Sequence, residues 1–345
     1  MRYLVYGAGA VGGLVGGRLA LSGRPVTFLA RPRIAEALRA GGLDLTTAGH
    51  LSHLPQPSVI TDLSEAEGEA FDAVLLAVKA YDCQESAAAI ARLDTQAPVV
   101  CLLNGIGNEA ALAAALGAGR VIAATLTTAV TAAKPGTIKI ERERGLSLAM
   151  GHPLVPSLAD DLRAAGFFLR LHSNADRMKW SKVLTNIVTN ASSAITGWLP
   201  GQVLAHRGLY RLEVEALREV VRGMRAQGFA PEDLARVPIR GLAFAFSLPL
   251  PISQPILRRG ISSGRGAKLP SFHYDIGQGR SEVGWLNGAV AREAAARGLA
   301  APANAVFAEV MLGLVDGRLS REEFAARPEA LLARAHAAGV PGIRV

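Results

Sequence analysis

The chain has 345 residues, of which 50% are hydrophobic and only 5% aromatic, and its formal net charge is +8. This length suits two domains with a sizeable core. The basic residues form no long run interleaved with aromatic residues, so we expect no nucleic-acid partner, and the charge favours an anionic cofactor and substrate instead.

The two cysteines, Cys83 and Cys101, are too few for a disulfide framework and lack the spacing of a metal site. No uninterrupted apolar run is long enough to span a membrane. We therefore expect a cytoplasmic protein without a bound metal.

A glycine-rich turn follows the first predicted strand, residues 3–6, and precedes a helix predicted over residues 11–22. In its G-x-G-x-x-G pattern, Gly7 permits the tight turn, Gly9 lets a pyrophosphate approach the backbone and Gly12 lets the helix pack closely on the strand. The N-terminus of the helix offers N–H groups and a partial positive charge to phosphates. The residues predicted to bind a dinucleotide cofactor here are Gly7, Ala8, Gly9, Ala10, Val11 and Gly12.

The second predicted strand, residues 25–30, ends at Arg31. Chains that bind NAD usually place an Asp or Glu about 20 residues beyond the glycines, where it holds the ribose 2′-hydroxyl. A guanidinium at this place suits the 2′-phosphate of NADP, because it forms charge-assisted hydrogen bonds with phosphate oxygens. Arg31 therefore predicts NADP (NADPH) as the cofactor, and the alternative is an ordinary surface arginine.

Strands and helices alternate through the first half of the chain. This alternation predicts a Rossmann-type α/β fold over residues 1–172, with a mostly parallel, doubly wound sheet. Ligands bind at the carboxyl ends of the strands in such sheets. The residues that follow predicted strands are Gly7, Arg31, Lys79 and Asn104. The further strands are predicted at residues 71–78, 98–103, 121–125, 136–140 and 146–150.

An all-α C-terminal domain is predicted over residues 173–345, because the strand patterns stop near residue 172. Residues 241–257 carry no charge, but Pro249, Pro251 and Pro255 interrupt them, so we expect a loop or lid there. Long helices are predicted at residues 174–196, 209–227, 282–297 and 304–314.

Lys182, Asn186 and Asn190 follow one another at i, i+4 and i+8 in the predicted helix 174–196. On one continuous helix, at about 100° per residue, these side chains point to nearly the same side. One ammonium and two carboxamides together suit a small, oxygen-rich anion. The alternative is an ordinary solvated helix face.

A second polar cluster lies late in the chain. Residues 271–275 (Ser-Phe-His-Tyr-Asp) are followed by Glu282, which begins a predicted helix after a glycine-rich turn. A carboxylate in the first turn of a helix is favoured by the helix dipole. From the residues alone, this structural role is the leading interpretation of Glu282.

Taken together, these motifs resemble those of the ketopantoate reductases (2-dehydropantoate 2-reductases), which belong to the larger 6-phosphogluconate-dehydrogenase-like group. The resemblance runs nearly end to end, and its most specific part is the lysine–asparagine helix combined with the late Glu/Leu-Asn-Gly motif. It rests on the glycine motif at residues 7–12, Arg31, Val78-Lys79, Asn104-Gly105-Ile106-Gly107, Lys182-x₃-Asn186-x₃-Asn190 and the Gly-Arg-Ser-Glu-x₃-Leu-Asn-Gly motif that ends at Gly288.

The resemblance implies a role for each matching residue. Lys182 would be the general acid that protonates the ketone oxygen, and Glu282 would orient hydroxyl groups of the cofactor or substrate. The implied cofactor contacts beyond the glycine motif are Arg31, Lys79, Asn104, Val130 and Glu282. The implied substrate contacts are Asn104, Asn186, Asn190 and Ser271.

The implied activity is the NADPH-dependent reduction of a 2-oxo acid, above all ketopantoate to pantoate as in pantothenate biosynthesis. The sequence departs from the family pattern at two places that bear on the substrate: Pro200 stands where family members often carry a substrate-binding asparagine, and the segment 240–268 is longer than in compact members. A paralogue acting on another branched or hydroxylated 2-oxo acid stays open, as does a non-catalytic NADPH-binding protein. The expected partner is the small-molecule substrate, and a homodimer is one candidate for the oligomeric state.

Overall fold

The computed structural model describes residues 1–93, 95–265 and 269–344, with residues 260–265 described by their backbone alone. The end of the segment 240–268 therefore lies outside the described residues. Contacts divide the chain into two compact units. The first unit comprises Met1–Leu103, Gly107–Lys179 and Leu234–Val237, and the second comprises Asn104–Ile106, Trp180–Asp233 and Pro238–Val345.

The first unit contains two β-sheets and the helices that cover them. The strands are β1 Tyr3–Tyr6, β2 Val26–Leu29, β3 Leu43–Thr47, β4 His50–Leu54, β5 Ser58–Ile60, β6 Ala73–Leu76, β7 Val99–Cys101, β8 Val121–Leu126, β9 Ala129–Lys134, β10 Thr137–Arg142, β11 Leu146–Ala149 and β12 Leu169–His172. The helices are α1 Ala10–Leu21, α2 Pro32–Gly41, α3 Cys83–Arg92, α4 Asn108–Leu116 and α5 Val155–Ala164. The larger sheet runs in the order β12-β11-β8-β7-β6-β1-β2-β5, and the smaller in the order β4-β3-β10-β9.

The larger sheet confirms the predicted doubly wound fold. β1 pairs in parallel with both β2 and β6, and β7 and β8 continue the parallel array. Two predicted strands depart from this pattern: β11 is antiparallel to β8, and β10 belongs to the smaller sheet. β10 alternates the buried Ile138 and Ile140 with the exposed Lys139, as expected of a strand with one solvated face.

Helix α1 packs closely on both sheets because glycines, which lack a side chain, lie at its contacts with each sheet. A Cβ on Gly16 would lie 2.6 Å from the Phe28 ring and from a Val5 methyl group, which belong to the larger sheet. A Cβ on Gly13 would lie 3.0 Å from Ile138 of the smaller sheet. The close packing of α1 fixes the position of its first turn at the end of β1.

The second unit is helical. Beyond His172, the described residues contain no strand apart from an isolated bridge between Leu234 and Val237. The chain enters this unit along α6, Ala175–Ile187. The helices that follow are α7 Asn190–Thr196, α8 Pro200–Ala205, α9 Arg207–Ala226, α10 Ile239–Ser247, α11 Leu250–Arg265, α12 Asn287–Ala295, α13 Pro302–Val315, α14 Arg321–Phe324 and α15 Pro328–Ala337.

The prediction of one helix over residues 174–196 is wrong. α6 ends at Ile187 and α7 begins at Asn190, and between them Thr189 adopts the left-handed conformation with a φ of 54°. This conformation is strained for a β-branched residue, so the surrounding contacts must hold the break in place. Lys182 and Asn186 therefore lie on α6, whereas Asn190 opens a different helix.

The loop predicted at residues 241–257 is wrong, because α10 and α11 cover most of this segment, whereas a role as a lid stays a prediction. Pro249 lies between the two helices, and Pro251 lies in the first turn of α11, where a missing N–H costs little. Pro255 lies inside α11. Among the described residues, no helix combines the length and the apolar character that crossing a membrane requires.

We predict that Gly16→Ala lowers the free energy of unfolding by about 1–3 kcal/mol, because the added methyl group overpacks the contact with Phe28 and Val5. The better helix propensity of alanine offsets part of this loss. Gly9→Ala is the matched control, since a Cβ there would meet no atom within 4 Å among the described residues. Denaturant unfolding measures both variants, and a Gly16→Ala variant as stable as the wild type would contradict the packing.

Candidate active site

The turn between β1 and α1 has the geometry of a phosphate-binding loop. Gly7 has a φ of 103°, and a Cβ there would lie 3.0 Å from a Val78 methyl group, so this position requires glycine. Gly9 has an ordinary φ of −78°, and the space beside it is open in the described part of the chain. Neither backbone conformation nor protein packing accounts for Gly9, whereas close approach of a ligand does. The turn therefore fits the pyrophosphate of a dinucleotide at a helix N-terminus.

Arg31 and Lys79 follow β2 and β6, the two neighbours of β1, so parallel pairing brings both to the same edge of the sheet as this turn. The Arg31 side chain is 79% exposed, and its Nη2 lies 3.4 Å from Oδ2 of Asp82. Such an exposed ion pair is weak, so the guanidinium remains accessible to a phosphate. Val130 is half-buried in β9 of the smaller sheet, which packs against α1.

A buried cation, which the sequence patterns did not assign, lies in the first unit. The Lys179 ammonium donates to the carbonyl of Leu103 at 2.6 Å and of Ala124 at 3.3 Å, and it pairs with Glu109 at 2.8 Å. Burial, the largest single effect, lowers the pKa of Lys179, but the Glu109 carboxylate and the neighbouring Cys101 together raise it above its ordinary value. Lys179 therefore stays charged and ties β8 and the end of β7 to α4.

In the second unit, a network of hydrogen bonds joins four residues that the sequence predicted to bind substrate. The Nδ2 of Asn186 donates to Oδ1 of Asn104 at 3.1 Å. The Nδ2 of Asn190 donates to the carbonyl of Asn186 at 3.0 Å and to the Ser271 hydroxyl at 3.3 Å. Asn104 and Asn186 are half-buried, so their carboxamides can reach a ligand. We call these four residues the amide network.

Asn190 uses all its polar groups inside the protein. Besides the two bonds from its Nδ2, its Oδ1 accepts the N–H of Phe272 at 3.1 Å. The side chain is 5% exposed. This geometry makes Asn190 the residue that fixes the turn carrying Ser271, and a direct contact with substrate fits Asn104 and Asn186 better.

Glu282 lies in a short 3-10 turn, Glu282–Trp285, and not at the start of the long helix predicted there, because α12 begins only at Asn287. The dipole of an α-helix therefore does not account for this carboxylate. Ser281 caps the turn, and its hydroxyl donates to Oδ2 of Asp275 at 2.8 Å. Glu282 is 5% exposed, and a buried carboxylate is costly unless other groups compensate it.

The turn that carries Asn104 packs directly on the turn that carries Glu282. The N–H of Ile106 donates to the Trp285 carbonyl at 2.9 Å. Gly105 has a φ of 93°, and a Cβ there would lie 2.8 Å from the Cβ of Trp285. Glycine at this position is therefore what allows the close approach, and Glu282 belongs to the same part of the second unit as the amide network. In the sequence, Asn104-Gly105 was the only sign of this contact. The sequence did not predict that Trp285 is its partner.

Lys182 is half-buried on α6, one turn before Asn186. Their i, i+4 spacing places the ammonium and the carboxamide on one helix face. Pro200 is buried as the first residue of α8 and brings no polar side chain. The arrangement as a whole can donate hydrogen bonds and a proton to a small anion that carries a carbonyl group.

Sequence models of one family match most of the chain. The model described as Ketopantoate reductase PanE/ApbA matches residues 3–152, and the one described as Ketopantoate reductase PanE/ApbA C terminal matches residues 174–314.

Several curated relatives carry the name 2-dehydropantoate 2-reductase. The relative from Halobacterium salinarum is 28% identical over 323 residues, which cover 90% of this chain and 98% of the relative. The relative from Pyrococcus horikoshii is 30% identical over 224 residues, which cover 64% of this chain and 72% of the relative.

Solved structures share the fold over nearly the whole chain. A PanE/ApbA family ketopantoate reductase from Ralstonia eutropha has a TM-score of 0.78 at 29% identity, covering 92% of this chain and 99% of its own. A D-mandelate dehydrogenase with NADH and anilino(oxo)acetate has a TM-score of 0.75 over the same shares of both chains, and its 20% identity supports a likeness of fold alone. The chain therefore belongs to the PanE/ApbA ketopantoate reductase family, a family of oxidoreductases that act on a CH–OH group.

Proposed function

We propose that the protein is an NADPH-dependent 2-oxo acid reductase that converts 2-dehydropantoate (ketopantoate) to pantoate, a step of pantothenate biosynthesis. The observation that carries this proposal is the amide network, with Lys182 one turn before Asn186 on the same helix face. Carboxamides can hydrogen-bond the carboxylate and the carbonyl oxygen of a 2-oxo acid, and an ammonium suits the oxygen on which negative charge develops.

The residues of the first unit fit a dinucleotide. The open backbone at Gly9 and the N-terminus of α1 would hold the pyrophosphate, and the exposed Arg31 with Lys79 would hold the 2′-phosphate of NADP. Val130, which lies in the same unit, would add a contact along the cofactor. When bound, the reduced nicotinamide supplies the hydride.

Lys182 would supply the proton. Hydride addition to the carbonyl carbon places negative charge on the oxygen, and a nearby ammonium both stabilises and neutralises that charge. Asn186, whose Nδ2 is held by Asn104, would orient the carbonyl toward the amine. Glu282 would orient hydroxyl groups of the substrate or the cofactor.

One observation favours a different 2-oxo acid as the substrate. Pro200 has an apolar side chain at a position where family members often carry an asparagine. A substrate with fewer hydroxyl groups than ketopantoate needs no hydrogen-bond partner there, so it loses less binding energy from this change. Trimethylpyruvate, which has the carbon skeleton of ketopantoate without its hydroxyl group, separates the two candidates.

The experiment that tests the proposed function is steady-state oxidation of NADPH with ketopantoate, trimethylpyruvate and phenylglyoxylate. We expect the highest kcat/KM with ketopantoate. A higher kcat/KM with trimethylpyruvate would favour the second candidate. Tight binding of NADPH without turnover of any 2-oxo acid would contradict the proposal and favour a non-catalytic nucleotide-binding protein.

Cofactor choice should depend on Arg31. We predict that Arg31→Ala weakens NADPH binding by about ten-fold or more, the usual cost of losing hydrogen bonds to a charged group, and leaves NADH binding nearly unchanged. Titration of the reduced cofactors by fluorescence gives both dissociation constants. Arg33→Ala, which removes an exposed arginine two residues away, is the control. Equal losses for the two cofactors would reject the assignment to the 2′-phosphate.

Lys182→Ala should lower kcat by about 10²-fold or more, the usual range for loss of a general acid, and should leave NADPH binding unchanged. The comparison uses saturating NADPH and the best 2-oxo acid of the panel. Lys134→Ala, which removes an exposed lysine of β9, is the control for charge. If kcat of Lys182→Ala equals that of the wild type, Lys182 is an ordinary helix residue.

Glu282→Gln should reduce turnover by about ten-fold or more while the melting temperature stays near that of the wild type, because glutamine keeps the shape and removes the charge that orients hydroxyl groups. Thermal unfolding and steady-state kinetics on the same preparation separate the two effects. Full activity would assign Glu282 a structural role in the 3-10 turn.

A further inference from the structure

We infer that Glu213 is a positioning residue for the substrate site, because its carboxylate fixes the break between α6 and α7 and thereby the directions of Asn186 and Asn190. This inference rests on the proposed function, in which the amide network holds the 2-oxo acid. Glu213 lies on α9, outside every motif that the sequence patterns singled out.

The carboxylate of Glu213 binds the residues of the break directly. Its Oε2 accepts the N–H of Thr189 at 2.8 Å, and its Oε1 accepts the Ser192 hydroxyl at 2.5 Å. The Glu213 side chain is 2% exposed, so both bonds form away from water. Hydrogen bonds to a buried carboxylate are short and strong, which suits them to hold a fixed geometry.

The break requires such an acceptor. In a continuous helix, the N–H of Thr189 would donate to the carbonyl of Thr185, four residues earlier. In this chain, Thr189 is left-handed and its N–H donates to Glu213 instead. Glu213 therefore compensates an unfavourable backbone conformation that continuation of α6 would avoid.

The effect of the break reaches the amide network through one residue. Asn190 directly follows Thr189, and its carboxamide holds the Asn186 carbonyl and the turn that carries Ser271. If the backbone at Thr189 relaxed toward a continuous helix, Asn190 would turn away from these partners. Loss of the Glu213 carboxylate should then disturb substrate binding, although Glu213 is not placed to touch the substrate.

A matched control lies on the same helix. Glu219 is also on α9, is 1% exposed, and accepts the backbone N–H groups of Ala303 and Asn304 at the start of α13. It is therefore, like Glu213, a buried carboxylate that accepts hydrogen bonds at the start of a helix, but it accepts two backbone N–H groups where Glu213 accepts one and a hydroxyl. Loss of either glutamate should destabilise the protein, whereas only Glu213 should affect the break.

The test compares Glu213→Ala, Glu213→Gln and Glu219→Ala with the wild type. We expect Glu213→Ala to raise the KM for the best 2-oxo acid by about ten-fold or more, the scale of a misplaced binding group, with the dissociation constant of NADPH unchanged. Glu213→Gln should restore most of the KM, because its side-chain oxygen still accepts the Thr189 N–H and its amide can donate to Ser192. Glu219→Ala should leave KM unchanged.

A wild-type KM in Glu213→Ala, or an equal rise in Glu219→Ala, would overturn the inference. If Glu213→Ala does not fold, Ser192→Ala decides: it removes the hydroxyl bond to the carboxylate and should raise KM by a smaller factor, and an unchanged KM would overturn the inference. Hydrogen exchange of residues 188–192 in Glu213→Ala should be faster than in Glu219→Ala, a readout that needs no substrate.

A wild type that reduces no 2-oxo acid would refute the proposed function, whereas an active wild type with an unaffected Glu213→Ala variant would refute the positioning role alone.

Discussion

The side chain of Asn190 donates to the Asn186 carbonyl and to the Ser271 hydroxyl, and it accepts the N–H of Phe272. One carboxamide thus joins the end of α6, the start of α7 and a turn about 80 residues later in the chain. Because the side chain is buried, any movement that removed a partner would leave a polar group unsatisfied, at a cost of about 1–3 kcal/mol. The geometry of the candidate substrate site follows from this constraint.

The two units provide different kinds of contact for their proposed ligands. The first offers mainly backbone: glycines hold α1 against two sheets, and its first turn presents N–H groups beside an open position at Gly9. The second offers side chains, whose directions depend on the break at Thr189 and on the close approach that Gly105 permits. Backbone N–H groups can bind a phosphate group, which many cofactors have in common. Side chains differ in shape and chemistry, so they can distinguish one substrate from another.

Features encoded by neighbouring residues were predictable from the sequence. The strand, glycine turn and helix at residues 1–21 follow from the order and spacing of neighbouring residues, with Gly7 required by the turn itself. The break at residues 188–189 was not predictable, because Val188-Thr189 contains neither glycine nor proline and its stabilising acceptor, Glu213, lies on another helix. The place of β10 in the smaller sheet was not predictable either, because the sequence patterns did not indicate its partner strands β3 and β9. Nor was the late start of α12. The roles of Lys182, Asn186 and Glu282 stay predictions that kinetics must test.

The central claim is that the protein transfers hydride from NADPH to the 2-carbon of a 2-oxo acid. The most direct measurement uses NADPH carrying deuterium in the transferable position at C4 of the nicotinamide, with ketopantoate as the acceptor and mass spectrometry of the product. The account predicts pantoate with one deuterium at C2 for each NADPH oxidised. Oxidation of NADPH without deuterium in the product would contradict the account, as would the absence of any hydroxy acid.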